Sequence, residues 1–209
     1  MFIIAIANSK GGSGKSTLSI NLSVAAVLAG MKVMLIDCDP QKTVTDWGEM
    51  RQREGPTVVA HDLRGLPSVF AAAMADGYDL VLVDVAGRDD AALFGLFRLV
   101  DFVLVPSAPF NIELRVTKPV RRMVAASGRQ SRIVLVKTTD PQARRTRTAI
   151  EEHPDHFAPV ALRYLVAYPD SYALGQGVPE TYPGSVAAAE VAALLHYVLQ
   201  HQAVGGQNG

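Results

Sequence analysis

The residues with the most pointed chemistry lie near the start of the chain, in Asn8-Ser9-Lys10-Gly11-Gly12-Ser13-Gly14-Lys15-Ser16-Thr17. Gly11, Gly12 and Gly14 let the backbone curl so that several N–H groups converge on one anion. An apolar run, Phe2-Ile3-Ile4-Ala5-Ile6-Ala7, precedes this loop, and a helical pattern from Leu18 to Ala25 follows it. Strand, glycine loop and helix in that order make a phosphate-binding loop. The helix N-terminus adds its own unpaired N–H groups and partial positive charge. In such a loop Lys15 reaches the β- and γ-phosphates of a nucleotide, and the Ser16 hydroxyl takes a place on Mg²⁺.

Three carboxylates could complete that chemistry. Asp37 and Asp39 follow a second apolar run, and Asp84 ends a third, Asp79-Leu80-Val81-Leu82-Val83-Asp84. In open α/β sheets, ligands bind at the carboxyl ends of the strands. Asp37 and Asp39 are thereby expected beside the loop, where Mg²⁺ and an attacking water would be. Asp84 fits a residue that holds Mg²⁺ directly or through water. The bland alternative for each is a helix cap or a turn residue. Cys38, between Asp37 and Asp39, reads as a small buried filler, and a lone cysteine permits no intrachain disulfide.

The loop departs from the ordinary phosphate-binding pattern at one end. Ser9 stands where the first glycine is usual, and a second lysine, Lys10, sits just inside. This Lys-Gly-Gly-x-Gly-Lys-Ser string is the deviant Walker A motif and resembles the ParA/MinD family of dimerising P-loop ATPases. Asp37-Cys38-Asp39-Pro40-Gln41 is similar to a second motif of that family. Thr45-Asp46-Trp47 and Val105-Pro106 look like the small plasmid-partition members. The resemblance implies that ATP and Mg²⁺ are bound and that hydrolysis is slow and partner-stimulated. It implies that Lys10 reaches across an ATP-bound homodimer to the partner's phosphates. It implies that Asp39 positions the hydrolytic water, that Asp37 organises the Mg²⁺ shell, and that the loop near Pro179 and Glu180 lines the adenine pocket. It further implies nonspecific DNA binding and a small ParB-like or adaptor protein as the stimulating partner. The family often carries Asp-x-Pro-Pro after the third strand. Here the run is Asp84-Val85-Ala86-Gly87, so the shape of the following switch loop does not carry over. The guanine-reading Asn-Lys-x-Asp string is absent from Val136-Lys137-Thr138-Thr139-Asp140, which favours adenine.

The elements that must position these residues alternate between strand and helix. We therefore expect an α/β fold: a single doubly wound, mostly parallel sheet with helices on both faces. Strands are expected near residues 2–8, 32–37, 57–61, 79–84, 102–105 and 132–137. Helices are expected up to Ala29 with Gly30 as cap, and near 43–53, 66–76, 89–99, 142–152 and 186–200. The helical stretch ending at Ser127 contains Pro119, which argues against one continuous helix. Residues 159–166 read ambiguously. One ATPase domain is expected over 1–202, with a flexible tail over 203–209.

The 209 residues are 49% hydrophobic, ample for a buried sheet covered by helices. No apolar run reaches the roughly 18 residues of a membrane span. The first strand begins without a charged leader or cleavage site, so a cytoplasmic, nucleoid-associated protein is expected. Net charge is zero, yet half of the 20 Lys and Arg residues fall between Arg115 and Arg147, where Asp140 is the one acid. Within that stretch Arg144, Arg145 and Arg147 cluster at the start of a helix and are the expected DNA contacts. A membrane-cycling relative would need a basic amphipathic C-terminal helix, and residues 186–209 contain no Lys or Arg. A bridging iron–sulfur cluster would need two cysteines per chain. A related metabolic ligase would need a substrate pocket for which no motif is visible.

Overall fold

The computed structural model describes residues 1–86 and 90–205. Six strands form one sheet: β1 (Phe2–Ile6), β2 (Val33–Cys38), β3 (Thr57–Ala60), β4 (Leu80–Val85), β5 (Phe102–Ser107) and β6 (Gln130–Leu135). Their spatial order is β3-β2-β4-β1-β5-β6, and every pairing is parallel. Parallel neighbours need long crossovers. Here these are α1 (Lys15–Leu28), α2 (Thr43–Met50), α3 (Leu66–Ala75), α4 (Asp90–Leu99) and α5 (Asn111–Ala126). Beyond β6 follow α6 (Ala143–Glu152), α7 (Ala167–Ala173), α8 (Val178–Thr181) and α9 (Val186–Gly205).

The central strands are apolar on both faces because helices cover both. Alternation along each strand divides its side chains between two cores. Phe2, Ile4 and Ile6 of β1, Val33 and Leu35 of β2, and Leu80 and Leu82 of β4 pack with α1 and α9. Ile3 and Ala5, Met34 and Ile36, and Val81, Val83 and Val85 pack with α3, α4 and α5. This parity has a chemical result. Asp37 continues the series of Val33 and Leu35, and Asp84 continues that of Leu80 and Leu82. Both carboxylates therefore belong to the face that α1 covers. They are also register partners across the β2–β4 pair.

The structure differs from the sequence reading in several elements. Pro119 lies inside α5, which runs unbroken from Asn111 to Ala126. The proline removes only the N–H that would meet the Arg115 carbonyl, and both residues lie on the exposed side, where water can serve that carbonyl. Residues 159–166 are neither strand nor helix through most of their length. Leu162 N donates to the Leu135 carbonyl of β6 at 2.8 Å, Phe157 just before the segment bridges Ile133 of β6, and Arg163 bridges Thr138 just past β6. The second helix stops at Met50, short of residue 53, and α9 continues past residue 200 to Gly205. Part of the expected tail is thus helical, and residues 206–209 lie outside the described residues, as do 87–89, which include Gly87 and the start of the expected 89–99 helix.

Arg51, just past α2, ties the C-terminal elements down. Its guanidinium makes a bidentate pair with Glu180 of α8 at 2.7 and 2.9 Å and donates to the Gly175 carbonyl at 3.0 Å. It also lies over the buried Trp47 ring, whose indole N–H donates to the Gln176 carbonyl at 3.1 Å. Gly30 closes α1, and Gly175 closes α7, each with positive φ and the paired backbone bonds of a Schellman motif. The two glycines are not equivalent. A Cβ at Gly30 would meet nothing, whereas at Gly175 it would sit 2.7 Å from the Met50 backbone. Gly30→Ala should therefore cost only the left-handed conformation, about 1–2 kcal/mol. Gly175→Ala should cost clearly more. Urea denaturation of the two variants gives the comparison, and equal midpoints would contradict the close approach.

Candidate functional site

The loop between β1 and α1 is held by side chains and open in its backbone. Buried Asn8 donates to the Pro106 carbonyl at 2.7 Å, and its Oδ1 accepts from Lys10 N at 3.1 Å. The Ser9 hydroxyl donates to the Val116 carbonyl in α5 at 3.3 Å. Gly12 and Gly14 adopt φ of 70° and 92°, conformations that glycine reaches without strain. Lys137, just past β6, donates to the Gly12 carbonyl at 2.7 Å and braces the loop from the other side. Among the described residues, the N–H groups from Gly11 through Thr17 find no acceptor in the protein. The Ser13 hydroxyl is buried without a partner. Lys15 is buried, and its ammonium has no ion pair among the described residues. Seven unspent N–H groups, a free hydroxyl and a buried cation converge on one place. That donor set fits the phosphates of a nucleotide.

Asp84 is fully buried at the end of β4. Its carboxylate accepts from the Ser16 hydroxyl at 2.7 Å and the Ser19 hydroxyl at 3.1 Å. Burial pushes its pKa up to about 7, with the neighbouring Asp37 charge adding to the rise, against the opposing pull of Ser16, Ser19 and Lys15. Asp37 is engaged differently. One oxygen accepts from the Thr45 N–H and hydroxyl at 2.8 and 2.9 Å, and the other from Asp39 N at 3.0 Å. It caps the first turn of α2 and fixes the turn that carries Asp39. Asp39 is half-buried and accepts from Gln41 N at 2.9 Å. Cys38 is inert, its thiol pushed up to about 12 by burial and by the Asp37, Asp84 and Asp62 charges. The hydroxyl and carboxylates are hard oxygen donors of the kind Mg²⁺ takes. Among the described residues no cluster of three or more His, Cys, Asp or Glu could hold a metal alone. The arrangement suits an ion completed by phosphate oxygens and water.

A cavity of about 450 Å³ opens beside the loop, bounded by Gly14, Thr17, Asn21, Val136, Leu162 and Tyr168 among others. Its position next to the phosphate cradle suits a nucleoside. Pro179, expected there, does not line it. The reason is local. Asn21 Oδ1 accepts from Val178 N at 2.8 Å, and Glu180 is spent on Arg51, so α8 braces α1 instead. Sequence reasoning did not single out Ser19, Asn21, Lys137 or Tyr168. Ser19 and Asn21 could have been found, since they lie one helical turn beyond Lys15 and Thr17 and share their faces. Tyr168 comes from a part of the chain without a periodic pattern.

Lys10 points away from the cradle. Its ammonium pairs with Glu113 at the start of α5, and the Lys10 side chain remains 47% exposed. Arg144, Arg145 and Arg147 lie on α6, all exposed and without an ion pair among the described residues. They are on the far side of β6 and are not part of the cradle.

Lys15→Ala should abolish nucleotide binding, measured by calorimetric titration. For Asp84 the raised pKa sets a sign. The folded state holds the proton more tightly than the unfolded chain, so this group's contribution to stability falls as pH rises from about 4 through about 7. Asp84→Asn should therefore raise the melting temperature of the nucleotide-free protein at about pH 8, by the equivalent of roughly 2–4 kcal/mol, and change it much less near pH 4. The same variant should lose the added stability that Mg-ATP gives.

The family model described as the CobQ/CobB/MinD/ParA nucleotide binding domain matches residues 4–103. The chain is 34% identical over 149 residues to the maintenance of carboxysome distribution protein A of Gloeobacter kilaueensis, covering 68% of this chain and 65% of that one. It is 27% identical over 210 residues to the protein of the same name in Halothiobacillus neapolitanus, covering 95% of this chain and 96% of that one. The fold is similar to that of the septum site-determining protein MinD of Pyrococcus horikoshii in complex with Mg-ADP, with a TM-score of 0.74, 19% identity, and coverage of 94% and 95%. The matched model spans β1 through the start of β5, the stretch that carries Lys10, Lys15, Asp37, Asp39 and Asp84, and the chain belongs to the ParA/MinD family of P-loop ATPases.

Proposed function

We propose that the protein hydrolyses ATP to position a cargo. Two ATP-bound copies dimerise, the dimer binds DNA without sequence preference, and a small ParB-like or adaptor protein stimulates hydrolysis and resets the cycle. The observation that carries this reading is the division of labour between two lysines. Lys15 is buried in its own cradle, whereas Lys10 stands at the rim with its head at the surface. A lysine so placed is available to a second copy's phosphates once it leaves Glu113. The cargo reading leans toward a protein assembly, because two relatives are named for carboxysome distribution. Among the described residues no helix is long and apolar enough to cross a membrane.

In this reading the loop N–H groups and Lys15 hold the phosphates and meet the charge that grows during transfer. The Ser16 hydroxyl and the Asp84 carboxylate would hold Mg²⁺, with Asp37 beside them, and the ion supplies neutralisation of the phosphate charge. Asp39 orients the attacking water from the turn that Asp37 fixes. The apolar walls of the neighbouring cavity take the adenosine.

Lys10→Ala should bind ATP with near-normal affinity yet stay monomeric with ATP. Asp39→Ala should bind ATP and persist as a dimer, with turnover reduced by two or more orders of magnitude. Sizing chromatography with light scattering, run beside a phosphate-release assay, reads both. A Lys10→Ala protein that dimerises and turns over normally would remove the cross-dimer role.

A further inference from the structure

Two arginines meet at the outer edge of the sheet, away from the nucleotide end. Arg121 comes from α5 and Arg132 from the amino half of β6. The Nε of each is buried and has no hydrogen-bond partner. A terminal nitrogen of Arg132 donates to the Ser131 carbonyl at 3.0 Å. The loop after α6 adds His153 and His156, with rings stacked at 5.8 Å and 25°. That loop is docked on β6 by the bond from Ile133 N to the His156 carbonyl, 2.8 Å long. The charged and titratable groups facing His156 are Arg121, Arg132, His153 and Asp155; the Arg132 guanidinium also donates toward the Tyr197 hydroxyl of α9, which faces Asp155 as well. Asp155 thus stands among two arginines and two histidines, and Glu151 and Glu152 lie exposed at the end of α6 just before His153. Neither arginine has a salt bridge among the described residues. Burial and then the Arg121 charge hold the His156 imidazole below its ordinary value.

A buried N–H without an acceptor costs about 1–3 kcal/mol, and two such guanidiniums also repel each other. An oxyanion against the accessible part of the two half-buried guanidiniums would relieve that repulsion. We propose that Arg121, Arg132, His153 and His156 form a site for a backbone phosphate of DNA. This rests on the DNA reading above and adds a second contact to it. The exposed Arg144, Arg145 and Arg147 open α6, and His153 follows its last turn. Helical rise separates Arg145 from His153 by about 12 Å. That is on the order of the width of the major groove, so a duplex lying along α6 meets both clusters. Guanidinium forks suit phosphate geometry, and imidazoles gain protons beside it. Free inorganic phosphate has the same chemistry and is the other source to distinguish.

The test follows the imidazole NMR signals of His153 and His156 in the full chain, titrated separately with inorganic phosphate and with a short duplex of arbitrary sequence. Fluorescence anisotropy of the same duplex, with ATP, is read from about pH 8 to about pH 6. Both histidine signals should move with duplex, and affinity should rise several-fold toward the lower pH. His153→Gln/His156→Gln should flatten that rise while dimerising normally with ATP. Arg121→Gln should weaken binding and reduce the log–log salt slope by about 1. Replacing Arg144, Arg145 and Arg147 by Ala should lower affinity yet leave the pH response. Histidine signals that ignore duplex, or a pH response that survives the double substitution, would overturn the site. Signals that move with inorganic phosphate alone would overturn the DNA assignment. If the wild-type protein binds no duplex, the DNA reading itself fails, and the inorganic phosphate titration shows separately whether an anion site exists.

Discussion

A carboxylate with no exposed surface governs this molecule. Asp84 is buried, faces the helix that starts the phosphate loop, and has Asp37 as its register neighbour. Charges so placed are costly unless compensated. The compensation visible here is incomplete: two hydroxyls from α1 and the nearby field of Lys15. The loop and the start of that helix hold seven N–H groups that find no acceptor among the described residues. The protein's own groups therefore set excess negative charge on one side of a small space and excess hydrogen-bond donors on the other. A nucleotide with its cation would answer both.

The nucleotide site was legible in the sequence where chemistry and chain order coincide. The glycine loop, Lys15 and the strand-end aspartates occupy positions that local rules fix, and the parallel sheet brings their ends together. What escaped depends on long-range packing. A local rule makes Pro119 a break, while in the fold its lost bond faces outward. The resemblance points the Pro179 loop at the adenine pocket, whereas Asn21 and Arg51, distant in the chain, draw α8 against α1 and α2. The lining contributed by residues 162–176 comes from a segment with no clear periodicity, so no pattern announced it. The basic density between Arg115 and Arg147 was visible as composition. Its division into an exposed set on α6 and a half-buried set at β6 was not.

The molecule thus separates two kinds of cation. Lys15 and the loop amides act at the carboxyl ends of the strands, where a phosphate is held and turned over. The arginines of α5, β6 and α6 lie along one edge. Lys10 belongs to neither group. It is joined to α5 through Glu113, as Ser9 is through Val116. Helix α5 therefore touches the nucleotide loop at its beginning and the basic edge further along, and both ends share one rigid body.

The apolar pattern of β4 has a consequence for how such chains can change over generations. Both faces of the strand are covered, so hydrophobicity alone does not distinguish one face from the other. Deleting a single residue upstream within the strand would leave a chain that still buries Leu and Val on both sides. It would, however, turn Asp84 toward the α3–α4 core, away from Ser16 and Lys15. Length at this strand is held by one carboxylate and not by the core, so an insertion or deletion there would yield a folded protein without its chemistry.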